Sequence, residues 1–140
     1  MIRIALSDRS IFRLEGCTSV TYASLDGAME QCAQLTRVNV SGCIVLDRTV
    51  TLLAKSHPNL EVLLLSGCQD ITDQSLSILG NCCQSLKVLN IRGNACVTDV
   101  ALLSLVKRCT ALLSVDIADC KNISVLADLK KLLPGCHFDT

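Results

Sequence analysis

Apolar positions in the middle of the chain follow two rhythms in turn. Leu63 and Leu65 flank Leu64, Leu89 and Ile91 flank Asn90, and Val115 and Ile117 flank Asp116. Such alternation marks a short strand, because successive side chains in a strand face opposite ways. Further along each segment the spacing changes. Leu76, Leu79 and Cys83, then Leu102, Leu105 and Cys109, recur at i, i+3 and i+7, one stripe of a helix. Upstream, Leu35, Val38 and Val40 repeat the strand pattern, and Phe12, Leu14 and Leu25 begin it less regularly. The pattern predicts one short strand and one helix in each of about five units of 26 residues.

Three columns carry this period. Cys17, Cys43, Cys68, Asn94 and Cys120 are spaced 26, 25, 26 and 26 apart. Cys32, His57, Cys83, Cys109 and Cys136 follow at 25, 26, 26 and 27, and Thr21, Asp47, Thr72, Thr98 and Ser124 at 26, 25, 26 and 26. The last column stands where a helix N-cap oxygen is wanted. On this alignment the second unit lacks a residue just after Asp47. The last has one extra within its helix, so that Leu129, Leu132 and Cys136 come late. Pro134 and Gly135 stop a final helix expected over residues 125–133. The expected organisation is a single domain, 1–140. Residues 1–8 form an N-terminal cap in which Ile2, Ile4 and Leu6 alternate as an edge strand, residues 9–136 the repeats, and residues 137–140 a tail.

The clearest unit reads Leu60-Glu-Val-Leu63-Leu-Leu65-Ser-Gly-Cys68-Gln-Asp-Ile71-Thr72-Asp73. It resembles the cysteine-containing subtype of leucine-rich repeats, of form L-x-x-L-x-L-x-x-C-x-x-I-T-D, and the resemblance runs from about residue 9 to residue 136. It implies an α/β solenoid with a parallel sheet on the concave face and helices outside. It also implies the company of F-box ubiquitin-ligase receptors, whose substrate-binding halves carry this subtype, and of related adaptor and scaffold subunits. No F-box-like helical segment is expected at either end, so a ligase-recruiting half would sit on a longer parent chain or be absent. The same architecture follows from packing. One strand–helix unit cannot bury its apolar side alone, so units must stack.

Ten cysteines in 140 residues first suggest a secreted disulfide scaffold. The chain is longer and richer in aliphatic core than such scaffolds, and Met1–Leu6 runs into Ser7-Asp8-Arg9 without a secretory pattern. The columns give eight of the ten a packing role. Cys17, Cys43, Cys68, Asn94 and Cys120 form a structural ladder at the strand exit, where a buried polar group bonds backbone N–H and C=O groups left over by the turn. Asn bonds strongly there, and a thiol bonds weakly but packs better. Cys32, Cys83, Cys109 and Cys136 act as small buried hydrophobes, and His57 in their column is expected to be a packed neutral ring. Cys82 and Cys96 fall outside both columns. Cysteines in packing roles point to a reducing compartment: the cytoplasm, with nucleus, mitochondrial matrix or axoneme open. No C-x-x-C pair and no H-x₃₋₅-H pair occurs, so no metal site is expected.

Thirteen basic and thirteen acidic residues cancel, which argues against direct nucleic-acid binding. No apolar run is long enough for a membrane span. Nucleophile elbows, phosphate loops, dinucleotide fingerprints and H-E-x-x-H are absent, so neither an enzyme nor a cofactor is expected. Asp73 and Asp99 sit at expected helix starts, where a carboxylate favours the helix rather than chemistry.

Binding is expected on the outward residues of the strands. One column is Arg13, Asn39, Leu64, Asn90 and Asp116; its neighbours are Ile11, Arg37, Val62, Val88 and Ser114, and Glu15, Ser41, Ser66, Arg92 and Ala118. Val62, Leu64 and Val88 make an apolar centre, and Arg13, Arg37, Arg92 and Asp116 surround it, the usual composition of a protein-binding patch. The reading is a non-catalytic protein-interaction module, an adaptor or scaffold subunit of a multi-subunit assembly. The substrate-recognition part of an SCF-type receptor without its F-box is the alternative, and a redox- or metal-responsive cysteine protein a remote third.

Overall fold

The two halves of each unit take the forms their spacing predicts. The structure is a computed structural model that describes residues 3, 4, 10–17, 19, 22–32 and 34–140. In chain order the elements are β1 (Arg3–Ile4), β2 (Ile11–Arg13), α1 (Tyr22–Glu30), β3 (Arg37–Asn39), α2 (Asp47–Ser56) and β4 (Val62–Leu64). They continue with α3 (Asp73–Cys82), β5 (Val88–Asn90), α4 (Asp99–Arg108), β6 (Ser114–Asp116), α5 (Leu126–Leu132) and β7 (His137–Asp139). The sheet runs β1 to β7 in sequence order. Strands β2 to β7 are parallel, and β1 lies antiparallel on β2. This is an open α/β solenoid. Phe12, Val38, Leu63, Leu89, Val115 and Phe138 share one register and are all buried. With Leu76, Leu79, Leu102, Leu105 and their equivalents they form one continuous core along the stack.

At the strand exit, each unit is tied to the one before it. Cys43 Sγ donates to the Leu14 carbonyl at 2.7 Å, Cys68 Sγ to Val40 at 3.3 Å, and Cys120 Sγ to Ile91 at 3.1 Å. Asn94 Nδ2 donates to Leu65 at 3.0 Å and to Ile91 in its own unit at 2.7 Å. The ladder therefore satisfies carbonyls as expected. The expected bond from the Asn94 oxygen to an N–H is not made: Asn94 Oδ1 is buried without a partner. Beside the ladder, the N–H groups of Gly16, Gly42, Gly67 and Gly93 donate to carbonyls of the next unit at 2.8–2.9 Å. These glycines have φ of +66° to +75°, and Asp119 takes the same slot at +61°. An Asp reaches this left-handed conformation only at some cost.

A second tie joins helix starts. The Asp47 carboxylate accepts from the Thr72 N–H at 2.9 Å, from Thr72 Oγ1 at 2.6 Å and from Ser75 Oγ at 2.5 Å. Asp73 accepts from Thr98 N–H and Oγ1, both at 2.7 Å, and Asp99 from Ser124 N–H and Oγ at 2.7 and 2.8 Å. Burial alone would push the Asp47 carboxyl up, but the hydrogen bonds from Ser75 and Thr72 prevail and hold it below the usual carboxylate range. The Ser124 N–H does the same for Asp99.

These ties correct the sequence reading in several places. Thr72 is a true N-cap, accepting from the Gln74 N–H at 3.2 Å, but Thr98 makes no such bond and the N-cap of α5 is Val125 rather than Ser124. Asp47 is the first helical residue, with Leu46 at the N-cap. It matches Asp73 and Asp99, while buried Val45 matches Ile71 and Val97. The residue missing from the second unit is therefore lost before Asp47, in the loop after the strand. Thr21 lies outside the described residues. In the last unit, Leu133 closes the helix, its N–H bonded to the Leu129 carbonyl as Cys109 N–H is to Leu105. Cys136 instead stands where Leu60, Leu86 and Leu112 stand, its N–H on the carbonyl of the preceding helix cap. So α5 is shorter than its fellows, not longer. The expected tail is β7, because Phe138 falls into register with Val115. Of the expected N-terminal cap, Arg3 and Ile4 pair with β2, while Ile2 and Leu6 lie outside the described residues.

Two stability predictions follow from this frame. Asn94→Ala should cost about 1–3 kcal/mol, because buried carbonyls lose their donor. Ser114→Ala, on the half-buried outward face, should stay within about 0.5 kcal/mol. Equal midpoints in urea would contradict the ladder. Asp119→Gly should stabilise the chain by about 1 kcal/mol through relief of the left-handed backbone, read as a raised thermal midpoint; an unchanged or lowered one would show that the Arg92 contact outweighs the strain.

Candidate functional site

The pleat turns the sequence-predicted columns outward as expected. On the sheet's solvent face, Arg13, Arg37 and Arg92 are exposed, and Asn39, Val62, Leu64, Val88, Asn90 and Asp116 are half-buried between their core neighbours. Parallel register aligns Arg13, Asn39, Leu64, Asn90, Asp116 and Asp139 in one row, and Ile11, Arg37, Val62, Val88, Ser114 and His137 in the next. Val62, Leu64 and Val88 are thus neighbours at the centre. Ala118, expected to face outward, is buried, and its N–H is taken by Asp116 Oδ1.

Much of the polar chemistry on this face is already committed. Asn39 Oδ1 accepts from the Ser41 N–H at 3.1 Å, Asn90 Oδ1 from Arg92 at 3.0 Å, and Asp116 Oδ1 from Ala118 at 3.0 Å. Each closes its own turn two residues on, a known habit of Asn and Asp. Alternation along the strand could not reveal this; the recurrence of Asn or Asp two residues before the third column was the available signal. Across strands, Asn39 Nδ2 donates to Glu15 at 2.5 Å and Asn90 Nδ2 to Asp116 Oδ2 at 3.1 Å. Arg92 meets Asp119 at 3.1 Å, Lys87 meets Glu61 at 2.8 Å, and His137 meets Asp139 at 2.9 Å. Among the described residues, Arg13 and Arg37 make no ion pair. Between them lies a hollow of about 180 Å³ whose lining includes Ile11, Glu15, Asn39, Val62 and Leu64 beside the two arginines.

Elsewhere the groups capable of chemistry are packed away. Burial pushes the thiols of Cys68 and Cys109 up to about 11 and that of Cys83 to about 12. It raises Cys32, Cys43, Cys120 and Cys136 as well. These thiols are therefore poor nucleophiles. His57 is buried, which disfavours its charged form, and its Nδ1 accepts the Leu35 N–H at 3.1 Å. It is a packed ring as expected, with Nε2 buried without a partner, and it ties the end of α2 to the backbone ahead of β3 rather than activating a cysteine. On the helical side, Asp26 is 6% exposed and meets Arg48 Nε at 3.5 Å, a structural pair between α1 and α2. Among the described residues no three His, Cys, Asp or Glu gather as for a metal ion, and no helix is long and apolar enough to cross a membrane.

A family model for the leucine-rich repeat matches residues 82–106. The match begins at the last residue of α3, crosses β5 and the Asn94 turn, and ends within α4. Repeats of this kind generally serve as non-catalytic, protein-binding modules.

The burial of the thiols sets an expected labelling pattern. Cys96 is exposed, Cys17 and Cys82 are half-buried, and the other seven are buried. A thiol reagent added to the native protein should modify Cys96 fastest, Cys17 and Cys82 more slowly, and the rest only after denaturation. Native-state modification of Cys68 or Cys109 at the rate of Cys96, located by mass spectrometry, would contradict the packing.

Proposed function

We propose that this leucine-rich-repeat chain is a protein-interaction module without catalysis of its own. On this reading it is an adaptor or scaffold subunit of a larger assembly in a reducing compartment. Its protein partner binds on the solvent face of the sheet, around Leu64. The observation that carries the reading is the half-buried apolar trio Val62, Leu64 and Val88 at the middle of the stack, next to a hollow and ringed by polar groups. Binding hot spots favour such central, rimmed positions. The thiol ladder of Cys43, Cys68 and Cys120 favours the cysteine-containing subtype. It supports a second, narrower reading as the substrate-recognition part of an SCF-type ubiquitin-ligase receptor.

Leu64→Glu tests the surface. In the free protein the new carboxylate would be hydrated and the fold kept. In a complex it would be buried without a partner, at a cost of several kcal/mol. Affinity purification from the native source should recover the wild-type partners and lose them with the variant, at an unchanged circular-dichroism melt. Retention at wild-type levels would place binding elsewhere.

A further inference from the structure

We propose that the hollow between Arg13 and Arg37 receives an acidic stretch of the partner protein, with an aliphatic side chain beside the acid. This rests on the reading of the sheet face as the binding surface and adds the chemistry of what it binds. The charges of the face are distributed unevenly. Toward β6 and β7, the acids Asp116, Asp119 and Asp139 are each engaged by Asn90, Arg92 and His137. Toward β2 and β3, Arg13 and Arg37 are exposed and make no ion pair among the described residues. Glu15 also lines the hollow and accepts from the neutral Asn39 amide, and Glu61 is paired with Lys87. Two guanidiniums against one carboxylate leave the hollow net positive, and the acids at the other end repel an anion that docks in the reverse sense. Ile11, Val62 and Leu64 line the hollow beside the guanidiniums, so an aliphatic group has a place next to the carboxylate. Guanidinium forks suit carboxylates, bidentate pairing adding direction to charge. A nucleic-acid backbone, which would run on along the face, fits less well, because Asp116 and Asp139 lie further along the same row and the chain as a whole is neutral.

Fluorescence anisotropy with two labelled synthetic peptides tests this, one a leucine flanked by glutamates and the other the same leucine flanked by lysines. Wild-type protein should bind the glutamate peptide at least about tenfold more tightly, with the advantage shrinking as NaCl is raised. Arg13→Glu combined with Arg37→Glu should reverse the preference without moving the thermal midpoint; both sites are exposed. Equal affinity of the wild type for the two peptides, or no binding of either, would overturn the acidic assignment. So would undiminished binding of the glutamate peptide to the double variant, or its displacement by a single-stranded oligonucleotide at equal charge concentration. Loss of both peptides with Leu64→Glu, alongside no discrimination by the wild type, would leave the face as the binding surface and remove only its acidic chemistry.

Discussion

Everything in this molecule depends on how the chain leaves each strand. A strand of three residues cannot by itself hold a turn that carries the backbone back under the sheet into the helical layer. Its exit leaves carbonyls pointing into the stack, where an unpaired polar group is costly. At Cys43, Cys68, Asn94 and Cys120 one thiol or amide meets that need, in the first three together with a left-handed residue whose N–H reaches the next unit, while Cys17 in the first unit is only half-buried. The outward rows align because these exits are held in register, and the apolar trio at the centre of the sheet exists because the rows align.

The ladder also gives several of the chain's many cysteines a packing role. A thiol is small, packs like a hydrophobe and still donates weakly. It suits a column that is buried on every side and needs one bond in one direction. Asn94 shows the trade. Its amide, a stronger donor than a thiol, bonds both Leu65 and Ile91, and leaves its oxygen buried without a donor. Neither residue type is ideal, which is why both fit.

The period, the division of each unit into strand and helix, the ladder and the outward rows were all legible from residue spacing, because each depends on a side chain meeting the same environment in successive units. Where a slip in the repeat falls was not legible. Asp47 is as good an N-cap as Thr72, so spacing alone could not say which slot it fills. Only the carboxylate's reach to Thr72 in the next unit decides it. Cys136 fits a cysteine column by count but a leucine position by hydrogen bonding, and β7 is too short to give a pattern of its own. On the binding face, the outward direction of Asn39, Asn90 and Asp116 was legible. Their engagement with their own turns was not, since Oδ atoms that accept from a backbone two residues away look free in any alternation pattern. The sequence reading therefore ranked these residues with Arg13 and Arg37, and the structure separates them.

The carboxylates at the helix starts have a direction. Asp47 serves α3, Asp73 serves α4, and Asp99 serves the segment that leads into α5. In each case the group that caps belongs to the earlier unit and the group that is capped to the later one. The ladder runs the same way, each thiol or amide closing onto a carbonyl already laid down one unit before. On a ribosome the acceptor is in place before its donor emerges. For these two ties the order of synthesis is thus also an order in which each new donor finds its acceptor waiting, whereas the glycine N–H groups of the same turns wait for the unit that follows.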